Sequence, residues 1–194
     1  EKQHNHQEHM KTHTALTWVC GAAAVILAGS VLLSIISQDK SMEICIGTYG
    51  ENLYIYEFDT DNLEFRLKGH SEAVNPSYAL YKDGYIFAVS ETGPESGLYS
   101  FDKHGSKTAG LRQTGADPCF IMTYGNHVMT ADYSGGSVSV FPTENGVLKD
   151  CCQALKFEGS GPVTERQEKS HIHQLRALPG NGEWILASDL GADV

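Results

Sequence analysis

The sequence lacks any cluster of basic residues. Its 194 residues include 14 Lys and Arg against 24 Asp and Glu, which gives a formal net charge of -10 at pH 7. All of this excess lies from Gln38 onward, where 22 acidic residues stand against 12 basic ones, while residues 1–37 hold two of each. Because a nucleic-acid groove neutralises phosphates with clustered cations, nucleic acid is excluded as an expected partner.

The sequence also lacks paired cysteines of the C-x-x-C type. Five cysteines are present: Cys20, Cys45, Cys119, Cys151 and Cys152. Their spacing argues against a zinc site, so we predict no metal from them. A disulfide framework is an alternative, but small buried thiols are the interpretation that we favour.

Charge is absent from residues 15–37. These 23 residues exceed the roughly 20 that a helix needs to cross a bilayer, and Lys11 precedes them. We therefore predict one apolar N-terminal helix, which acts as a signal peptide or transmembrane anchor and is the only part expected to touch a membrane. The domain that follows would be exported; a buried helix and a cytoplasmic location are the alternatives. Residues 1–14 are predicted to form a polar tail.

A unit of two apolar strands separated by a turn recurs along the rest of the chain. The first strands of the units lie at 44–49, 87–91, 129–133 and 186–190, and their partners at 53–58, 98–101 and 137–141. Gly47 to Ala88 spans 41 residues, and Ala88 to Ala131 spans 43. An additional preceding strand repeats in step, since Pro76 and Pro118 are 42 residues apart.

This repeat predicts an all-β fold, a β-propeller, over residues 41–194. Periods of 40–50 residues with several short strands are typical of propeller blades. Turn sequences at 82–84, 124–126 and 181–182 fall where hairpins are expected. The chain would hold the first three to four blades, and no helix is expected after Ser37. A β-sandwich is the alternative, although it does not require a recurring unit.

The loop over 157–174 contains the most reactive side chains of the sequence. Glu165, Arg166, His171 and His173 lie within nine residues of it. In an extended strand His171 and His173 point to the same face, where a histidine could act as a general base. A metal-binding pair and histidines that bond only to loop carbonyls are the alternatives.

Acidic residues follow the first strand of three units, namely Glu91, Asp132 and Asp189. We interpret these positions as equivalent, and equivalent positions in a propeller face the same central funnel. Such side chains either bind a ligand or tie neighbouring blades together.

Several motifs in this order resemble the bacterial lactonase family of seven-bladed propellers. They are Ile46-Gly47-Thr48-Tyr49, Asn75-Pro76-Ser77-Tyr78, Gly115-Ala116-Asp117-Pro118-Cys119, Asp132-Tyr133-Ser134-Gly135-Gly136-Ser137, Glu165-Arg166-Gln167, His171-Ile172-His173 and Asp189-Leu190-Gly191-Ala192-Asp193. The resemblance covers residues 42–194. It implies seven blades in the complete protein, and it departs from the family pattern at Ser90 and Asp132, where relatives often have Asn.

The resemblance implies a sugar-lactone hydrolase, with 6-phosphogluconolactone as the expected small-molecule substrate and no cofactor. It implies His173 as the catalytic histidine, with His171 beside it, and Arg166 as a candidate for binding substrate. Glu91 and Asp132 are further candidates for binding substrate because of their positions in the repeat. Further arginines and a glutamate would come from later blades, beyond Val194, so the chain by itself is expected to be inactive. An exported, non-catalytic binding module and a lactonising enzyme of the carboxymuconate type are the alternatives.

Overall fold

The structure, a computed structural model, describes residues 40–180 and 184–194. These ranges contain β-strands and one short 3₁₀ helix, Gly93–Glu95. The strands are β1 (Ser41–Ile46), β2 (Asn52–Asp59), β3 (Glu64–Glu72), β4 (Ala79–Lys82), β5 (Tyr85–Ser90), β6 (Gly97–Asp102), β7 (Lys107–Gln113), β8 (Pro118–Tyr124), β9 (His127–Asp132), β10 (Ser137–Glu144), β11 (Val147–Leu148), β12 (Gln153–Lys156), β13 (Ile172–Ala177) and β14 (Ile185–Asp189). The prediction of an all-β fold is confirmed.

The strands form four sheets in chain order. The first sheet has the order β1-β2-β3, the second β4-β5-β6-β7, and the fourth β13-β14. In the third sheet β8, β9 and β10 are neighbours, and β11 and β12 both pair with β10. The pairs in the second, third and fourth sheets are antiparallel. Each sheet is thus one blade of the predicted repeat.

The predicted repeat coincides with these strands. The recurring first strands are β1, β5, β9 and β14; their partners are β2, β6 and β10; the preceding strands are β4, β8 and β13. The predicted turns at Asp83–Gly84 and Gly125–Asn126 join β4 to β5 and β8 to β9. Both glycines adopt positive φ, which side chains resist. The predicted turn at 181–182 lies outside the described residues.

The hydrophobic core consists of three clusters, each shared by two consecutive sheets. Leu53 and Ile55 of the first sheet pack with Ile86, Ala88 and Phe101 of the second. The second and third sheets share Phe87, Val89, Leu98, Ile121, Val128, Phe141 and Leu148. The third and fourth share Met129, Ala131, Val138, Val140, Ile172 and Leu175. Since side chains alternate along a strand, β5 contributes to the cluster on each of its faces.

The chain divides into two compact units, of which the larger comprises Glu43–Phe58 and Leu63–Val194. The described residues of the smaller unit are 40–42 and Asp59–Asn62. In its described part the backbone N–H groups of Asp61 and Asn62 donate to the Asp59 carboxylate at 2.9 and 3.1 Å. The predicted tail (1–14) and apolar helix (15–37) lie outside the described residues. Across 40–180 and 184–194 no helix has the length and apolar character to cross a bilayer.

Candidate functional site

One recurring backbone hydrogen bond shows which residues are equivalent in the second, third and fourth sheets. The N–H group just after the recurring strand donates to a carbonyl group in the segment that leads into the preceding strand. The pairs are Glu91 to Asn75 at 3.1 Å, Tyr133 to Asp117 at 2.8 Å and Leu190 to His171 at 3.0 Å. Glu91 is therefore equivalent to Tyr133 and Leu190.

The residue before Glu91 in the chain, Ser90, is therefore the equivalent of Asp132 and Asp189. The interpretation of Glu91 as their equivalent is wrong by one residue. The physical reason is the connection after the strand: β5 and β6 are joined by six residues that contain the 3₁₀ helix, whereas β9 and β10 are joined by four. A shift of one residue turns a side chain to the opposite face of a strand, so Glu91 and Asp132 point in different directions.

Asp132 is fully buried and holds two sheets together. Its carboxylate accepts hydrogen bonds from the hydroxyl groups of Thr130, Ser137 and Ser139 at 2.7–2.9 Å, and from the N–H of Gly115 at 3.1 Å. Burial raises the pKa of Asp132, although these donors act to lower it. A substrate could reach this carboxylate only by displacing the four donors, which makes a role in joining the blades the better interpretation.

His171 is also buried, with 6% of its surface exposed. It lies just before β13, and its ring stacks on the ring of Tyr133 with centroids 4.3 Å apart and an interplanar angle of 16°. Its Nδ1 lies 3.0 Å from the Tyr133 carbonyl oxygen, and its Nε2 lies 3.4 Å from the Glu168 carboxylate. Its backbone N–H donates to Asp189 at 2.7 Å. Every polar group of His171 therefore has a protein partner, which suits a positioning role.

His173, in contrast, is exposed. It lies in β13 next to a β-bulge between Ile172 and Gln174. Its ring meets the ring of Tyr133 edge-on, with centroids 6.1 Å apart. The two histidines thus contact the same tyrosine, as the H-x-H pattern predicts for residues on one face, but only His173 is accessible to a ligand.

Glu91 lies in a polar group that joins the first three sheets. Its carboxylate accepts a hydrogen bond from the Ser77 hydroxyl at 2.6 Å. Tyr49, which is 75% exposed, also hydrogen-bonds to Glu91, and this bond raises the pKa of Tyr49. Burial, followed by the charge of Glu91, raises the pKa of Cys119 to about 11. The sulfur of Cys119 in turn lies 3.6 Å from the carbonyl oxygen of His173.

These contacts bring together residues from all four sheets at one end of the strands. We call the set the central cluster: Tyr49, Ser77, Glu91, Cys119, Tyr133 and His173. Sequence reasoning identified His173 and Glu91 but did not assign a role to Tyr49, Ser77 or Tyr133. Tyr133 could have been identified from its position in the repeat, because it is equivalent to Glu91. Within the described ranges, no three His, Cys, Asp or Glu side chains are grouped as a metal site would require.

Arg166 lies in an exposed loop beside this cluster. It lines a cavity of about 230 Å³ together with Tyr133, Val163, Gln167 and Leu190. The loop is held in place by Gln167, whose amide accepts from the Val163 N–H at 2.9 Å and donates to the Leu190 carbonyl at 3.0 Å. Tyr133 is therefore a neighbour of both the cavity that Arg166 lines and the ring of His173.

Comparison with known proteins assigns this arrangement to a family. Residues 43–194 match the family model described as lactonase, 7-bladed beta-propeller. The 6-phosphogluconolactonase of Bacillus subtilis is 31% identical over 163 residues, which are 76% of this chain and 46% of that protein. The chain thus spans about half the length of the curated relatives that it matches.

Solved structures agree with this match. The crystal structure of a candidate 6-phosphogluconolactonase from Bacteroides fragilis is 32% identical with a TM-score of 0.72, and the match covers 81% of this chain and 48% of that one. The periplasmic gluconolactonase of Pseudomonas aeruginosa is 28% identical with a TM-score of 0.65, over 78% of this chain and 48% of that one. The chain belongs to the lactonase family of seven-bladed β-propellers.

Proposed function

We propose that the full-length protein built on these blades hydrolyses a sugar lactone, with 6-phosphogluconolactone as the leading substrate. The observation that carries this proposal is the central cluster, in which the accessible imidazole of His173 meets the ring of Tyr133 and the backbone carbonyl of His173 lies 3.6 Å from the sulfur of Cys119. Relatives named 6-phosphogluconolactonase support the choice of substrate class.

The chemistry needs a proton carrier with a pKa near neutrality, which histidine supplies. In the proposed reaction His173 accepts a proton from a water molecule while the water oxygen bonds to the lactone carbonyl carbon. The ring C–O bond then breaks, and the ring oxygen receives that proton as it becomes a hydroxyl group. The carboxylate of Glu91 and the hydroxyl of Tyr49 are suited to hold sugar hydroxyl groups.

A substitution at His173 tests this mechanism in the full-length protein. We expect His173→Ala to lower kcat by about a hundredfold to ten-thousandfold, the contribution typical of a general acid or base. His104→Ala is the matched control, because His104 is an exposed histidine in the turn after β6, at the opposite end of the strands. Equal turnover of the two variants would remove His173 from the mechanism.

Unphosphorylated gluconolactone is a second candidate substrate. The uncharged segment 15–37 and the Pseudomonas aeruginosa periplasmic gluconolactonase favour it, because phosphorylated sugars are mainly cytoplasmic. Measurement of kcat/KM for both lactones on the same protein preparation separates the two candidates. A ratio above about ten in either direction would identify the preferred substrate.

Because residues 15–37 carry no charge and are long enough to cross a bilayer as a helix, we also propose that the propeller is exported or anchored on the outer side of the membrane by these residues. Cell fractionation of the full-length protein, with a variant that lacks these residues as control, tests this location. Recovery of both proteins in the cytoplasm would contradict export.

A further inference from the structure

The cavity beside Arg166 has features of a binding subsite that the mechanism above does not use. Tyr133, Val163 and Leu190 form largely apolar walls, and Arg166 is the cation among the lining residues. Within the described part of the chain, the Arg166 guanidinium makes no ion pair or hydrogen bond. A cation without a protein partner beside apolar walls attracts an anion more strongly than one in open water does.

The backbone of the loop that carries Arg166 is fixed. Besides the two amide contacts of Gln167, the backbone N–H of Gly161 donates to the carbonyl of Gln167 at 3.0 Å, and that of Arg166 donates to Val163 at 2.9 Å. A side chain at Gly161 would meet the Gln167 amide and displace it from these contacts. Arg166 therefore extends from a loop whose backbone is already ordered, so the loop loses less conformational entropy when a ligand binds.

Tyr133 connects this cavity to the proposed catalytic histidine. One face of its ring is covered by His171, its edge region meets His173, and it also forms part of the cavity wall. The cavity and the ring of His173 thus border the same tyrosine. This arrangement suits a sugar derivative that has its carbonyl group at His173 and a charged substituent at Arg166.

We propose that this cavity is the subsite for the phosphate group of a phosphorylated sugar lactone, with Arg166 as the residue that distinguishes phosphorylated from unphosphorylated substrates. The identity of the ligand rests on the proposed function. Arg166 forms charge-assisted, bidentate hydrogen bonds to the phosphate oxygens, and Tyr133 forms the wall against which the sugar lies.

Binding of the reaction products tests this subsite without turnover. In calorimetric titrations of the full-length protein we expect 6-phosphogluconate to bind more tightly than gluconate. Arg166→Gln should weaken binding of 6-phosphogluconate about tenfold or more and remove the preference, while binding of gluconate stays unchanged. Arg166→Lys, which keeps the charge but not the planar fork, should give an intermediate loss.

The control is Arg176→Gln, which removes the same charge from an exposed residue of β13 that lies near the other end of that strand. An equal effect of Arg166→Gln and Arg176→Gln, or no preference for 6-phosphogluconate in the unmodified protein, would overturn the proposal. Kinetics supply a second measurement, in which Arg166→Gln raises KM for the phosphorylated lactone and leaves kcat unchanged.

The two proposals can fail separately. If 6-phosphogluconate binds through Arg166 but neither lactone is hydrolysed, the proposed hydrolysis is wrong and the subsite stands. If the phosphorylated lactone is hydrolysed and Arg166→Gln leaves its KM unchanged, the subsite is wrong and the hydrolysis stands.

Discussion

Asp132 offers the sharpest test of how the blades are held together. Its carboxylate is fully buried, and it receives hydrogen bonds from three hydroxyl groups of β9 and β10 and from the N–H of Gly115, in the segment that leads from the second sheet to the third. Asp132→Ala removes the acceptor for all four donors at once. We expect this variant to destabilise the full-length protein strongly.

The size of the effect follows from the kinds of donor. A buried donor that loses its acceptor costs about 1–3 kcal/mol. The N–H of Gly115 also donates to the Ser139 hydroxyl at 3.1 Å, so it keeps one partner when Asp132 is removed. The hydroxyl groups of Thr130, Ser137 and Ser139 can rotate, so each loses less. Loss of the whole network is expected to lower the free energy of unfolding by about 1–3 kcal/mol, the cost of leaving buried polar groups without their partner.

Asp132→Asn is the matched variant, because it keeps the shape and one acceptor oxygen. That oxygen can accept the hydrogen bonds from the Gly115 N–H and from the hydroxyl groups of Ser137 and Ser139. The Thr130 hydroxyl can turn so that its oxygen accepts a hydrogen bond from the Asn side-chain amide. We expect a loss below about 1 kcal/mol at neutral pH. Urea denaturation followed by circular dichroism measures both variants. Equal losses for Asn and Ala would refute the account of Asp132 as a hydrogen-bond centre.

The pH dependence gives an independent check. Burial raises the pKa of Asp132, so the folded protein binds this proton more tightly than the unfolded chain does. The contribution of Asp132 to folding stability is fully present below its ordinary pKa of 3.8. It is lost as the pH rises through the higher pKa that this carboxyl has in the folded protein. The unmodified protein should therefore gain stability relative to Asp132→Asn as the pH falls from neutral toward 3.8. A constant difference across this range would contradict the raised pKa.

Two further predictions concern packing and thiol reactivity. Gly146→Ala should destabilise the protein by about 1–3 kcal/mol more than Gly125→Ala in urea denaturation, because both have positive φ but only a side chain at Gly146 would clash with a ring, that of Tyr85. At pH 8 a disulfide reagent should label the exposed Cys151 and Cys152 quickly. Cys45 and Cys119, whose pKa values burial raises to about 11, should be labelled only slowly, as measured by peptide mass spectrometry; equal rates for all four would contradict this.

The inner strands could be predicted from the sequence because burial on two faces leaves a clear hydrophobic signal. β5, for example, is buried from Ile86 to Ser90. The outer strands could not, since β3 and β7 are mostly exposed and read as polar segments. The outer strand of the third sheet is also divided into β11 and β12, which both pair with β10.

The site was predictable only in part. The H-x-H pattern identified His173, but the sequence could not show that His171 is enclosed by Tyr133, Glu168 and Asp189, because these contacts join residues up to 38 positions apart. Glu91 was chosen for the wrong equivalence, yet its contact with Ser77 and Tyr49 places it in the central cluster. Contacts between blades are fixed by packing, and a repeat pattern alone does not specify them.

The division of the core into three separate clusters has a consequence for how this protein unfolds. Each cluster belongs to one pair of adjacent sheets, so the cooperative coupling between blades runs from neighbour to neighbour along the chain. A core substitution at Leu175 would weaken the junction of the third and fourth sheets and leave that of the first and second intact. Amide exchange would then accelerate blade by blade, and damage at this junction would release the fourth sheet, which carries His173, long before Glu91 lost its partners.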